Sequence, residues 1–270
     1  MPLKAPPVGS PTPLAPAARP WRCRQREWAA LALTWVVLSL AFTLWPTLDL
    51  TVSAWFYRPP GSPGWHGFAA DQFAVVAVIH GAVPWFGRTA TLLGLLLAVF
   101  WRLRPGPVNL RWWRRGLMLS LLMVLGTGVV VNAILKENWG RPRPVDVQTF
   151  GGAGTFEPAL HPSNQCNSNC SFVSGHAATG FTLLALGLLG APATRRRWLL
   201  WGLAAGLSTG ALRIAQGGHF LSDVLFSGLV IWLCGAMLCA GCLQLRAWRR
   251  RRRKRIGIWN KIGSSACDES

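Results

Sequence analysis

The stretch Leu117–Leu135, LMLSLLMVLGTGVVVNAIL, decides which kind of fold this chain adopts. Its 19 residues carry no charged side chain, and it is bounded by Arg115 on one side and Lys136 on the other. About 20 consecutive apolar residues span the hydrocarbon core of a bilayer as an α-helix. The stretch is therefore predicted to be a transmembrane helix.

The composition of the whole chain agrees with this interpretation and excludes several classes of protein. Of 270 residues, 51% are hydrophobic and only 14% are charged, whereas soluble domains carry about 25% charged residues. Such a hydrophobic chain cannot remain disordered in water over most of its length. The net charge of +19 would suit nucleic acid, but the apolar, Trp-rich remainder, with 16 Trp and a single Tyr, does not resemble a nucleic-acid-binding domain.

Apolar runs of similar length recur on both sides of the first stretch. They predict six transmembrane helices, at Trp28–Leu48, about Val83–Trp101, Leu117–Leu135, Ala177–Thr194, Trp198–Leu212 and Val224–Leu245. Residues 73–82, which precede the second run, are expected to lie in the membrane interface. We therefore predict an all-α integral membrane protein whose two termini lie on the same side.

Lys and Arg orient these helices, because both residues concentrate in cytoplasmic loops. The N-terminal arm, the 102–115 loop, the 195–197 turn and the tail after Leu245 hold 22 of the 28 cationic residues. Both termini are therefore predicted to be cytoplasmic. The remaining cations are expected towards the outer face of the membrane: Arg58, Arg88, Lys136, Arg141, Arg143 and Arg213.

This orientation divides the chain into three parts. Residues 1–27 are predicted to form a disordered basic cytoplasmic arm, residues 28–245 a six-span domain, and residues 246–270 a basic cytoplasmic tail. The tail contains seven consecutive bases, Arg249–Arg255. Directly after a membrane helix, such a run is expected to attract anionic lipid headgroups rather than nucleic acid.

The cysteines fit the same orientation. Cys166 and Cys170 lie together on the predicted outer face, where a disulfide persists, so a disulfide is favoured over an unpaired couple or a metal site. The other cysteines are expected to be reduced. Cys234, Cys239 and Cys242 fall within the last span as buried thiols, and Cys23 and Cys267 are cytoplasmic.

A first cluster of polar residues, Lys136-Glu-Asn-Trp-Gly-Arg-Pro-Arg-Pro144, follows the third span. Its cations could form an ordinary solvated rim. However, they lie on the face that is otherwise poor in positive charge, and two prolines stiffen the loop that carries them. A stiff cationic loop at a bilayer surface suits a phosphate group.

Two further clusters lie at the ends of later spans. Ser174-Gly175-His176 opens the fourth span, where a glycine and a helix N-terminus favour an anion, although His176 could merely cap the helix. The segment 213–223 joins the fifth and sixth spans. In it, His219 and Asp223 are four residues apart, so a helix would place the carboxylate beside the imidazole.

Lys-x6-Arg-Pro in 136–144, Ser-Gly-His in 174–176 and Arg-x5-His-x3-Asp in 213–223 occur in this order. This pattern resembles the type-2 phosphatidic acid phosphatase family, which shares its site with vanadium haloperoxidases and bacterial acid phosphatases. The resemblance implies a metal-independent phosphatase without a cofactor, whose substrate is a membrane lipid phosphate.

The resemblance also assigns roles to individual residues. His219 would be the nucleophile that forms a phosphohistidine, with Asp223 holding its ring, and His176 would protonate the leaving oxygen and then activate water. The remaining positions would hold the phosphoryl oxygens: Lys136, Arg143, Ser174, Gly175 and Arg213. Three cations can compensate the charge of a phosphoryl transition state without a metal. Arg141 is interpreted as a rim residue, since the motif steps past it.

Within the family, the runs around Cys166–His176 and Arg213–Asp223, together with Asp49…Trp55-Phe-Tyr57-Arg-Pro, most resemble bacterial lipid A 1-phosphatases. Undecaprenyl diphosphate and phosphatidylglycerophosphate are alternative substrates. A lipid-to-lipid phosphotransferase would use the same intermediate. A haloperoxidase is disfavoured because the site is built into membrane spans, and a non-enzymatic membrane scaffold would require the three motifs to be coincidental.

Overall fold

A computed structural model describes residues 25–64, 66–104, 106–188 and 192–267. The predicted N-terminal arm, with Cys23, lies outside the described residues up to position 24, and the end of the predicted tail, 268–270, lies outside them as well. The described chain is mostly helical, as predicted. Its strands are limited to the short antiparallel pair β1 (Tyr57–Arg58) and β2 (Gly67–Phe68).

The helices follow one another along the whole described chain. They are α1 (Gln25–Leu44), α2 (Thr47–Ala54), α3 (Ala74–Leu103), α4 (Pro107–Leu121), α5 (Lys136–Asn138), α6 (Gly175–Phe181), α7 (Leu184–Leu188), α8 (Pro192–Ala215) and α9 (Leu221–Cys267). A π-helical segment, Leu122–Leu135, joins α4 to α5, and the three together are called the third membrane helix below. Short 3₁₀ turns occur at Ala69–Gln72, Pro144–Asp146 and Gln148–Phe150.

In the described residues, four helices are long and apolar enough to cross a membrane: Ala74–Leu103, Trp112–Asn138, Thr194–Ala215 and Leu221–Arg252. A fifth span results if the bent pair α1 and α2 counts as one. The structure thus contains several candidate membrane helices at predicted places. The described residues provide at most five spans, whereas the sequence predicts six. Many large apolar side chains on these helices are exposed, as expected for surfaces that face lipid.

The first predicted span, Trp28–Leu48, is interrupted. Helix α1 ends at Leu44, α2 begins at Thr47, and the two axes differ by 81°. Pro46 lies at this break, where its ring and its missing N–H prevent a continuous helix. The bend turns α2 away from the direction of α1 and brings it against α9.

The second and fourth predicted spans also differ from the structure. Residues 74–82, expected in the membrane interface, belong to the same 30-residue helix as the second span. Within the expected span Ala177–Thr194, the described residues form the short helices α6 and α7, with a break at Thr182–Leu183, and the start of α8, while residues 189–191 lie outside the described residues. Thr182 Oγ1 bonds back to the Thr179 carbonyl oxygen at 2.6 Å next to this break.

Small residues allow the membrane helices to approach one another closely. A Cβ atom added at Gly94 of α3 would lie 2.5 Å from Ser120 Oγ, and one at Gly116 of α4 would lie 2.6 Å from the Gly94 oxygen. Gly180 of α6 meets the backbone of α8 at Ala205 in the same way. Close packing of this kind replaces the hydrophobic effect as the force that associates helices within lipid.

Helix α9 forms the centre of the bundle and contacts α1, α2, α6, α7, α8 and the third membrane helix. Its Phe226 and Ile231 are buried against Leu122 and Phe181. The loops at the start of α9, the start of α6 and the end of the third membrane helix consequently meet at one end of the bundle. These are the loops that carry the three polar clusters.

Candidate active site

Two cations of the first cluster converge on one residue. Lys136 begins α5 and is buried, and its Nζ donates a hydrogen bond to Asn169 Oδ1 at 3.0 Å. Arg143 Nη2 donates to the backbone oxygen of the same Asn169 at 2.7 Å. Side chains that are seven positions apart in the sequence are therefore brought to one side of the 166–170 loop.

A disulfide between Cys166 and Cys170 closes this loop. The Cys170 amide donates to the Lys136 carbonyl oxygen at 3.0 Å, and the Asn169 amide donates to Glu137 Oε1 at 3.2 Å. Asn169 adopts a left-handed backbone conformation, with φ of 49°, which Asn tolerates better than most residues. The loop thus holds Asn169 against the end of the third membrane helix.

The second cluster forms the start of α6. Ser174 is the N-cap and its Oγ accepts from the Ala177 amide at 3.4 Å, so this buried hydroxyl serves the helix in the structure. Gly175 is needed for close approach, because a Cβ atom there would lie 2.7 Å from Asn132 Oδ1 and 3.6 Å from Lys136 Cε. Helix α6 therefore begins directly beside Lys136.

His176 faces α3. Its Nε2 lies 3.1 Å from the His80 carbonyl oxygen, and the two imidazole rings stack with centroids 4.5 Å apart. A carbonyl oxygen can only accept a hydrogen bond, so Nε2 carries the proton in this arrangement. Nδ1 is then the ring nitrogen that can exchange a proton with a substrate. No pattern in the sequence pointed to His80, which lies in the segment expected to be interfacial.

The third cluster lies between α8 and α9. Arg213 is buried near the end of α8, where its Nη1 donates to Gln216 Oε1 at 2.7 Å. The chain then turns at Gly217, with φ of +66°, and a Cβ atom at Gly218 would overlap the Arg213 guanidinium at 2.0 Å. These two glycines let the backbone pass over Arg213 and deliver His219 into the interior.

His219 is almost fully buried, with 1% of its surface exposed. Its Nδ1 lies 2.7 Å from the Ser171 carbonyl oxygen, while Asp223 Oδ2 is 3.7 Å away. The predicted carboxylate is close, but the ring is fixed by a hydrogen bond to the backbone carbonyl. Because that oxygen can only accept, Nδ1 carries the proton and Nε2 carries the lone pair.

Electrostatics keep this imidazole neutral. Burial lowers the pKa of His219 to about 3, and the charges of Lys136 and Arg213 act in the same direction, against the raising effect of Asp223. The same two cations also act on His176. The structure therefore brings both histidines together with Lys136 of the first cluster and Arg213 of the third.

Asp223 is held by donors on several segments. Its Oδ2 accepts from Ser171 Oγ at 2.5 Å and from the Phe220 amide at 2.8 Å, and its Oδ1 accepts from Arg141 Nη1 at 2.5 Å. Its backbone oxygen also accepts from the Ser174 amide at 3.1 Å. Asp223 thus connects the beginning of α9 to Arg141 in the first cluster and to Ser174 in the second.

The interpretation of Arg141 as a rim residue is wrong. Its side chain is completely buried and pairs with Asp223 and with Asp49 Oδ2, the latter at 2.8 Å. Its Nε donates to the Glu157 oxygen at 2.8 Å, and its guanidinium lies 4.3 Å from the Phe220 ring centroid. Burial alone would lower the pKa of Arg141, but the carboxylates of Asp223 and Asp49 outweigh it and raise the pKa.

A cavity of about 410 Å³ lies beside these residues, between α3, the third membrane helix and α6. At one end it is lined by Lys136, Asn169, Gly175 and His176. It continues between the helices to Thr91 and Met123, and Arg88 also lines it. Lys136 and His176 are therefore accessible from a space between membrane helices, whereas Arg143, Arg213 and His219 do not line it.

This arrangement suits phosphoryl chemistry. It provides an imidazole with a free lone pair at Nε2, a second imidazole, and cations that can compensate the charge of a phosphoryl group. Within the described residues, no group of three or more His, Cys, Asp or Glu side chains is placed to hold a metal ion. The acids nearest to His219 are already engaged by Arg141 and by hydroxyl and amide donors.

Comparisons with known proteins agree with this chemistry. The model of the PAP2 superfamily matches residues 117–251, which contain all three clusters. The chain is 33% identical over 199 residues to the lipid A 4'-phosphatase of Francisella tularensis subsp. novicida, over 71% of this chain and 85% of that relative. It is 34% identical over 231 residues to the lipid A 4'-phosphatase of Rhizobium etli, over 78% of this chain and 84% of that relative.

No solved structure matches the chain significantly. The relatives are named for the 4'-phosphate of lipid A, so they do not support the expected likeness to 1-phosphatases. The superfamily match and the identity of about a third over most of each relative carry the assignment. The chain belongs to the PAP2 superfamily and is a phosphatase, a phosphoric monoester hydrolase.

Proposed function

We propose that this phosphatase removes a phosphate monoester from lipid A at the outer face of the bacterial inner membrane, through a phosphohistidine intermediate. One observation carries the proposal furthest: the cavity that reaches Lys136 and His176 lies between membrane helices. A lipid enters such a space by lateral diffusion with its chains still in the bilayer. A soluble ester gains nothing from this placement.

In the proposed first step, His219 Nε2 attacks the phosphorus atom, the P–N bond forms and the P–O bond to the lipid breaks. His176, which enters this step protonated at both ring nitrogens, gives its Nδ1 proton to the leaving lipid oxygen and becomes neutral. Lys136, Arg143 and Arg213 bind the phosphoryl oxygens, and the Gly175 amide adds a donor at the start of α6. The reaction therefore starts from the neutral His219 that burial favours.

In the second step, His176 accepts a proton from water, whose oxygen attacks the phosphohistidine. The P–N bond breaks and inorganic phosphate is released, which restores neutral His219. Asp223 lies 3.7 Å from His219 Nδ1 and stabilises the positive charge that the ring carries as phosphohistidine. No metal takes part in either step, since the cations of the protein compensate the phosphoryl charge.

Ser174 has a smaller part than the motif implies. Its Oγ caps α6 and its amide binds the Asp223 backbone oxygen, so it positions Gly175 and His176 rather than offering a hydroxyl to the phosphate. We assign the phosphate-binding role at this end of the site to the Gly175 amide and to Lys136, which lie close together.

Lipid A is the favoured substrate because the relatives in both bacteria are named for it. The same names favour the 4'-phosphate over the 1-phosphate. Undecaprenyl diphosphate, phosphatidylglycerophosphate and transfer of the phosphoryl group to a second lipid are the alternatives. Both alternative lipids present their phosphate at the same depth of the membrane as lipid A.

The proposed topology follows from the charge distribution. Residues 28–245 form the membrane phosphatase, both termini lie in the cytoplasm, and the three clusters lie at the periplasmic ends of the later spans. The basic tail binds anionic lipid headgroups. Neither nucleic acid nor a cofactor is part of the proposal.

The test is phosphate release by the purified full chain from lipid A, undecaprenyl diphosphate and phosphatidylglycerophosphate, with His219→Gln as the inactive control. Mass spectrometry of the lipid A product locates the remaining phosphate at the 1 or the 4' position. Release of free phosphate from lipid A, at one position, is the expected result. A phosphorylated second lipid without free phosphate would identify a phosphotransferase and contradict the proposal.

A further inference from the structure

Asp49 is a buried carboxylate that lies outside the region matched by the superfamily model, 117–251. It stands on α2, four residues after Trp45, where the first membrane helix bends by 81°. Only 1% of its surface is exposed. An acid in an apolar segment is costly unless it is paired, so its partners indicate why it is there.

The side chain of Asp49 contacts residues of the first and third clusters. Its Oδ2 accepts from Arg141 Nη2 at 2.8 Å and from Ser222 Oγ at 2.5 Å, and its Oδ1 accepts from the Ser222 amide at 2.8 Å. Ser222 is the neighbour of Asp223 in the first turn of α9. Asp49 thus binds the backbone turn that carries Asp223.

Asp49 also shares a cation with Asp223. One guanidinium, that of Arg141, contacts both carboxylates, and all three side chains are at most 1% exposed. This Asp49–Arg141–Asp223 cluster holds two acids and one base, so it carries a formal charge of −1 next to His219. Asp223 Oδ2 lies 3.7 Å from His219 Nδ1.

We propose that Asp49 is a positioning residue for His219, acting through Arg141 and Asp223. By sharing Arg141, it leaves the Asp223 charge only partly neutralised, so that this carboxylate stabilises the positive ring of the phosphohistidine. By binding Ser222, it fixes the turn from which Asp223 projects. The inference rests on the nucleophilic role proposed for His219, but not on the identity of the lipid.

A purely structural role would give Asp49 a different set of partners. A salt bridge that served only to hold α2 against α9 could be replaced by apolar packing at little cost. Here Arg141 instead also pairs with Asp223, whose carboxylate lies 3.7 Å from His219 Nδ1. Ser53 lies on the same helix and is equally buried, and its Oγ has no hydrogen-bond partner among the residues that the structure describes.

The variant Asp49→Asn tests the inference, because it removes the charge and keeps the shape. The purified full chain is assayed with para-nitrophenyl phosphate, so that the result does not depend on the lipid. We expect kcat to fall about 10- to 100-fold, as misplacement of a catalytic group does, with KM changed less than about 3-fold. Asp49→Glu should recover part of this loss, and the matched control Ser53→Ala should stay within about 2-fold of the wild type.

A double-mutant cycle separates positioning from structural support. If Asp49 acts through Asp223, Asp49→Asn should have little further effect on kcat in an Asp223→Asn background. Multiplicative effects of the two substitutions, or an unchanged kcat in folded Asp49→Asn, would overturn the inference. If Asp49→Asn does not accumulate in membranes, Ser222→Ala, which removes one hydrogen bond of the cluster, takes its place with the same criteria.

This experiment also distinguishes failure of the mechanism from failure of the inference. If His219→Gln retains activity, the phosphohistidine proposal is wrong and the inference falls with it. If His219→Gln is inactive while Asp49→Asn is as active as the wild type, the positioning role alone is wrong.

Discussion

Arg141 Nη1 and Asp223 Oδ1 form a fully buried ion pair at 2.5 Å, although 82 residues separate them in the chain. Arg141 lies just after the third membrane helix, and Asp223 lies in the first turn of α9. The pair therefore joins the loop that carries Lys136 and Arg143, the proposed phosphate-binding cations, to the turn that carries the proposed nucleophile. Breaking a buried pair by removing one partner leaves an uncompensated charge, which makes this contact costly to lose.

The first prediction concerns the nucleophile. His219→Gln should abolish phosphate release, with a loss on the order of 10⁴-fold or more, because no covalent intermediate can form. Activity is measured on purified protein whose elution from size-exclusion chromatography matches the wild type. His161→Gln is the matched control, since His161 is exposed in the loop before the disulfide. A His219 variant with a tenth of wild-type activity would rule out the mechanism.

The second prediction concerns pH and stability. The pKa of His219 is about 3 in the folded protein and about 6.5 in an unfolded chain. Between these values the unfolded chain binds a proton that the folded protein does not, so stability is lost as the pH falls through this window. His219→Gln removes this contribution.

The difference in Tm between the wild type and His219→Gln, measured in detergent, should therefore become less favourable to the wild type when the pH is lowered from about 7 to about 4.5. If the difference in Tm between the wild type and His219→Gln does not change with pH, burial does not hold the His219 ring neutral.

The third prediction concerns the disulfide loop. Cys166→Ser with Cys170→Ser should raise KM for phosphate esters several-fold with little change in kcat, because Asn169 contacts both Lys136 and Arg143. A reducing agent should do the same to the wild type and nothing to the double variant. In cells, a membrane-impermeant thiol reagent should label these cysteines only after reduction, and labelling without reduction would contradict the periplasmic disulfide.

The sequence predicts the positions of the long membrane helices and the three polar clusters well, because both depend on local patterns. Apolar length identifies α3, the third membrane helix, α8 and α9, and glycine and proline spacing marks the loops between them. The break at Pro46 was not predicted, since the apolar run continues through it. The short helices α6 and α7 were not predicted either, since the predicted span Ala177–Thr194 continues through the break between them.

The role of Arg141 could not be predicted from the sequence. Its partners Asp49 and Asp223 are 92 and 82 residues away, so only the folded chain shows that the charge is buried and paired. Asp49, an acid directly after the first apolar run, was the one available signal, because an acid at the membrane needs a partner. His80 offered no comparable signal, and its contact with His176 depends on how α3 packs against α6.

The fourth prediction concerns metals and inhibitors. Activity of the purified enzyme should survive EDTA, because the phosphoryl charge is compensated by Lys136, Arg143 and Arg213 rather than by an added ion. Vanadate, which adopts the geometry of a phosphoryl transition state, should inhibit. Release of phosphate is measured in both cases, and a strict requirement for Mg²⁺ would contradict the proposed site.

The last prediction concerns Arg88, which lies near the middle of α3 and lines the same cavity as Lys136 and His176. In the part of the chain that the structure describes, no carboxylate lies within salt-bridge distance of Arg88, and its guanidinium packs 5.1 Å from the Trp85 ring centroid. A cation at membrane depth is costly and marks a substrate pathway more often than not. An anionic oxygen of a lipid in the cavity would be its counter-charge.

Arg88→Gln should therefore lower kcat/KM for lipid A about 10-fold, which corresponds to the loss of one charge-assisted hydrogen bond, and leave para-nitrophenyl phosphate within about 2-fold. Arg58→Gln is the matched control, because Arg58 lies on strand β1 and does not line the cavity. The ratio of the rate on lipid A to the rate on para-nitrophenyl phosphate distinguishes a contact with the lipid from a contact with the reacting phosphate. Equal losses on lipid and soluble ester would place Arg88 at the reacting phosphate instead. An unchanged rate on both lipid A and para-nitrophenyl phosphate would mean that the Arg88 side chain only extends to the lipid headgroups. The lipid would then not occupy this part of the cavity.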